Sequence, residues 1–88
     1  MKDLQKYVAR KNEWNAIFNG DQYSLNSAID RQAIADMLDA DLSPENLTCD
    51  GELPYGKVLA RKEFLDAAAK QLIKLDPSVK MYEYYTGE

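Results

Sequence analysis

Apolar side chains recur at three- and four-residue intervals in three stretches, and each pattern predicts a helix with one buried face. In the first, Leu4, Tyr7, Val8, Trp14, Ile17 and Phe18 share one side of the wheel, which predicts a helix from about Lys2 to Phe18. The Asn19-Gly20 pair that follows supplies the left-handed residue a helix needs after its last turn. In the second, Leu25, Ile29, Ala33, Ile34, Met37 and Leu38 form a stripe over about Leu25 to Ala40. Ser24 and Ser27 are both candidate caps, and Ser27 with Asp30 three residues on is a variant of the capping box. The third runs from Lys57 to Leu75, where Val58, Leu59, Phe64, Leu65, Ala68, Ala69, Leu72 and Ile73 make a wide stripe. Asp76-Pro77 ends it, because proline disfavours helical backbone before it and donates no hydrogen bond.

Between the second and third helices, residues 42–56 hold two of the three prolines, two of the four glycines and the single cysteine. Ser43-Pro44-Glu45 has a hydroxyl at the cap, proline at the first helical position and an acid in the first turn, and predicts one helical turn. Asp50-Gly51 between short arms predicts a tight turn or miniature hairpin, and Pro54-Tyr55-Gly56 a further bend. After Pro77, Val79, Met81 and Tyr85 alternate with Lys80, Tyr82 and Tyr84, a pattern that fits an extended strand and a last helical turn begun by Ser78 almost equally. The expected fold is all-α: one compact three-helix domain over residues 1–88, with an ordered turn-rich central loop and an aromatic C-terminal tail.

Eighty-eight residues suffice for one modest core. No apolar run is long enough to span a bilayer, and Met1 to Lys6 carries no secretory pattern, so neither a membrane nor an export role is expected. With Cys49 alone no internal disulfide forms, and a cytoplasmic setting is expected. The net charge of −4 is unevenly distributed: residues 1–20 sum to +2, residues 21–56 to −7 and residues 57–88 to +1. The acidity lies in the middle of the chain.

Histidine is absent, which removes the usual activator of a thiol nucleophile and most acid–base and metal schemes, so no catalytic residue and no cofactor are assigned. Acid neighbours would raise the pKa of Cys49, which favours packing over reactivity. Asp39, Asp41, Ser43, Glu45 and Asp50 fall at oxygen-ligand spacings of a calcium loop. Pro44 stands where that loop needs its glycine and Asn46 where it has an apolar residue. A calcium loop therefore ranks third, behind an interaction module and a self-associating protein and ahead of an enzyme, and no metal residue is assigned. Lys57, Arg61, Lys62, Lys70 and Lys74 are interrupted by Glu63 and Asp66, and the acidic middle repels phosphate, so direct nucleic-acid binding is not expected.

What remains is surface. Asp36, Asp39, Asp41 and Glu45 are expected to stand outward as a negative patch that selects a protein partner, a host nucleic-acid-binding protein with a basic groove included. Tyr82, Tyr84 and Tyr85 crowd the tail, where large aromatic area suits protein contact. The same tail could instead fold back over the first and third helices, and a strand there would offer an edge for self-association into a homo-oligomer.

The run Leu42-Ser43-Pro44-Glu45-Asn46-Leu47-Thr48-Cys49-Asp50-Gly51-Glu52, followed by the charged helix from Lys57, resembles small uncharacterised reading frames of bacterial mobile elements and tailed phages. The resemblance covers about the second half of the chain. It implies a cytoplasmic bacterial or phage setting, in which small proteins often bind and inhibit a host protein. The expected function is a non-enzymatic protein-interaction module, an inhibitor or accessory factor, with a self-associating structural or particle-associated protein as the alternative.

Overall fold

The computed structural model describes residues 2–47 and 54–81, with side chains from Gln5 onward. Four helices account for most of this: α1 (Lys2–Phe18), α2 (Ala28–Leu42), the single turn α3 (Pro44–Leu47) and α4 (Tyr55–Leu75). The described residues contain no strand. The expected all-α fold is the one observed, with the central turn counted as a fourth helix.

The helix ends follow from local chemistry. Gly20, at φ 85°, is the left-handed residue after α1. Its amide donates to the Ile17 carbonyl at 3.0 Å and the Asp21 amide to Ala16 at 2.8 Å, the paired bonds of a Schellman ending. Of the two candidate serines, Ser27 caps α2: its backbone is extended and its hydroxyl accepts from the Asp30 amide. The Asp30 carboxylate reaches back to the Ser24 amide at 3.0 Å rather than to the cap itself. Cap selection therefore starts α2 three residues later than the apolar stripe suggested and leaves Leu25 just outside it.

At its other end α2 continues two residues past Ala40 and stops at Leu42, where Ser43 breaks the ladder. The Ser43 carbonyl then accepts from Asn46 and Leu47 to make α3. Pro54 serves as the N-cap of α4, and its carbonyl accepts from Lys57 and Val58, so Tyr55 and Gly56 are the first helical residues rather than a bend. Asp76 closes α4 in an extended conformation ahead of Pro77, as its sequence predicts. The Asp50-Gly51 turn and Cys49 lie outside the described residues.

Ile34, Ala35, Leu38 and Leu42 of α2 face Leu65, Ala68, Ala69 and Leu72 of α4, and Trp14 and Ile17 of α1 complete the core. The alanines let α2 and α4 approach closely. Ile29 does not join them. It lies nine residues before Leu38, about 180° around the wheel at 100° per residue, and is 82% exposed. Ala35 and Leu42, which the apolar stripe omitted, are in the core instead.

After α4 the chain lies along α2. Arg31 holds the Asp76 carboxylate and Gln32 binds the backbone of Lys80, while Val79 enters the core. The hydrogen bonds of this segment thus tie it to α2, and Val79 joins the core that all three long helices share. Tyr82, Tyr84 and Tyr85 lie outside the described residues.

Candidate functional site

The four carboxylates expected to form an outward patch divide into two pairs. Asp36 is exposed on α2, where it accepts from Gln32 Nε2 at 3.1 Å, and Glu45 is exposed on α3. Asp39 and Asp41 are buried, at 6% and 7% exposure. The expectation that all four stand outward is corrected for these two. Because α2 runs on to Leu42, both sit inside the helix rather than beyond its end, and Asp41 makes contacts to α1.

Asp41 is occupied by the chain itself. Arg10 Nε donates to Oδ2 and Arg10 Nη2 to Oδ1, each at 2.8 Å, a two-pronged grip that fits the planar guanidinium to the planar carboxylate. Trp14 Nε1, on a wholly buried indole, donates to Oδ2 as well. Arg10 and Trp14 lie one turn apart on α1, and the guanidinium carbon stands 5.6 Å from the centre of the indole ring. Glu13 takes a further hydrogen of the same guanidinium. The hydrogen bond to Asp41 is the largest cause holding the Arg10 pKa above its ordinary value. This cluster fastens α1 to the end of α2. With three donors already on it, Asp41 is committed to structure and not to a partner.

The same geometry bears on calcium. Asp39 and Asp41, two residues apart on one helix, project about 200° from each other, and Arg10 already fills the coordination of Asp41. Among the described residues no three acidic or cysteine side chains gather as a cation site would need. Asp50 lies outside them. Likewise no described helix is long and apolar enough to cross a membrane.

The uncovered surface lies elsewhere. At the start of α4, Tyr55 is 73% and Leu59 42% exposed. They stand one turn apart and project to the same side. Leu59 had been placed on the buried stripe, but it lies about 120° around the wheel from Leu65, which points into the core. Glu45 is exposed on α3, the turn that packs against α4. An aromatic and an aliphatic side chain thus share one exposed side at the start of α4. The sequence carried a signal for it: a tyrosine directly after a proline cap, on a helix whose core stripe begins later.

No protein-family model, no curated protein and no solved structure matches the chain.

Proposed function

We propose that this chain is a non-enzymatic protein-interaction module, an inhibitor or accessory factor that binds a partner protein through the face at the start of α4. One observation carries the reading: Tyr55 and Leu59, one turn apart, keep 73% and 42% of their surface uncovered. A tyrosine brings a large contact area that costs little side-chain entropy to fix, and such anchors supply much of the affinity of protein interfaces. Glu45, exposed on α3, and Asp36 on α2 add negative charge, which acts on encounter rate and partner choice more than on final affinity. Of the four acidic residues first expected at the contact, these two are the exposed ones.

The test is affinity capture from a bacterial lysate with wild type, the double variant Tyr55→Ala/Leu59→Ala, and the double variant Asp36→Lys/Glu45→Lys. All four positions are on the surface, so each variant keeps its helices by circular dichroism. The expected outcome is one partner that wild type retains, the apolar variant loses, and the charge variant captures with an altered salt dependence. A partner retained equally by all three proteins overturns the assignment of this face.

A further inference from the structure

The middle of α1 and the first three turns of α4 gather cations that no acid of the chain holds. Lys57, Arg61 and Phe64 follow at i, i+4 and i+7 on α4, about 80°, 40° and 100° to one side of the core residue Leu65. Lys11 marks that side as the one nearest α1, since its ammonium stands 5.7 Å from the centre of the Phe64 ring. Lys11 and Lys57 are exposed and Arg61 is half-buried. Among the described residues, none of these three cations enters an ion pair. The acids described on the same two helices are engaged or aimed elsewhere. Glu13 takes Arg10 and Asp66 takes Lys62, while Glu63, two residues after Arg61, projects about 200° around the wheel from it.

Two further observations point to a negatively charged ligand. Arg61 Nε is buried and, among the described residues, meets no acceptor. Buried donors are nearly always paired in native structures, so this one calls for an oxygen that the chain does not bring. In addition, α4 opens on Pro54 without a side-chain cap, and the amides of its first turn add positive potential at the Lys57 end. Lys57 and Arg61, like charges one turn apart, also destabilise the helix that carries them. An anion shared between them removes that cost.

We propose that this seam of α1 and α4 docks an acidic segment of another protein, with carboxylates seated on Lys57, Arg61 and Lys11. Measured along α4 from Lys57, the Arg61 and Phe64 positions lie about 6 Å and 10 Å away, a spacing that acids at i, i+4 and i+7 of a helix reproduce. A protein segment fits better than nucleic acid, because the −7 of residues 21–56 repels a long phosphate backbone more than it repels a few carboxylates. The seam is separate from the face of Tyr55 and Leu59, which project about 80° and 120° to the other side of Leu65.

The probe is a synthetic alanine-rich helical peptide with glutamates at i, i+4 and i+7, compared with its glutamine counterpart. Each is titrated into the full chain up to the order of 1 mM and followed by the amide NMR signals of Lys57, Arg61 and Phe64. The expected result is that only the glutamate peptide moves these signals, with an affinity that falls as salt rises. Lys11→Glu/Lys57→Glu should weaken binding at least about tenfold, 1.4 kcal/mol divided between two charge reversals. Lys70→Glu/Lys74→Glu makes the same change of net charge on the other half of α4 and should bind as wild type does. All four lysines are exposed, so both variants keep their helices by circular dichroism. Silence of the three signals, or an equal loss in both double variants, overturns the proposal. So does a single-stranded oligonucleotide that moves the same signals at lower concentration than the peptide, which would make the seam a nucleic-acid site. None of these results changes what the Tyr55 and Leu59 variants capture.

Discussion

Replacing Asp41 by alanine probes the junction of α1 and α2 at its most exacting point. Two costs add. The Trp14 N–H, on a fully buried ring, loses its acceptor, and an orphaned buried donor costs about 1–2 kcal/mol. Arg10 loses both of its bonds to the carboxylate, but its side chain is 35% exposed and can turn to water, so that loss is discounted to about 1 kcal/mol. Asp41→Ala should therefore destabilise by about 2–3 kcal/mol, and Asp41→Asn, which keeps volume and one acceptor for the indole, by about 1 kcal/mol. Asp36→Ala, on the exposed side of the same helix, should stay within about 0.5 kcal/mol. Urea unfolding followed by the fluorescence of the single tryptophan measures all three, with an unchanged m-value as the sign that the same surface unfolds. If Asp41→Ala proved as silent as Asp36→Ala, the carboxylate would be a surface group and the fastening of α1 to α2 would be wrong.

Two further outcomes follow from single residues. Gly20→Ala should cost about 1 kcal/mol of stability although a methyl group meets nothing closer than 3.8 Å there, because the strain lies in φ of 85°; Gly20→Asn should cost less in the same urea experiment. The Ser78 hydroxyl and then Arg31 hold the Asp76 carboxyl down to about 2, from 3.8. A depressed acid stabilises the fold above its unfolded pKa, so this contribution is complete above about pH 4 and is lost as pH falls from there toward 2. The protection factors of the Val79 and Lys80 amides, exchange rates taken relative to an unstructured peptide at the same pH, should fall in that window, and Asp76→Asn should show low protection at every pH.

Element boundaries were legible where a few adjacent residues decide them. Asn19-Gly20, Ser43-Pro44 and Asp76-Pro77 each act within one helical turn, through a positive φ, a cap or a missing donor, and each ends or begins a helix where its chemistry says. The acidic patch was misread because burial of a carboxylate depends on partners far along the chain. Arg10 and Asp41 are 31 residues apart, and nothing around Asp41 itself distinguishes it from the exposed Asp36. The clasp of Gln32 on Lys80 spans 48 residues and has no local signature at all. Tyr55 was hidden differently: once Pro54 was taken for a bend, the tyrosine after it could not be placed on the exposed side of a helix. Ile29 and Leu59 were assigned to buried stripes because a wide stripe tolerates about 100° of drift, more than the narrow α2–α4 seam accepts.

The account's functional claim rests on Tyr55, and calorimetry with the captured partner tests it most directly. Titrating that partner into wild type and into Tyr55→Ala should show at least about 30-fold weaker binding by the variant, the loss of about 2 kcal/mol that marks an interface anchor, with the urea stability of the two proteins equal. Equal affinity for both proteins would contradict the claim that the start of α4 is the binding face.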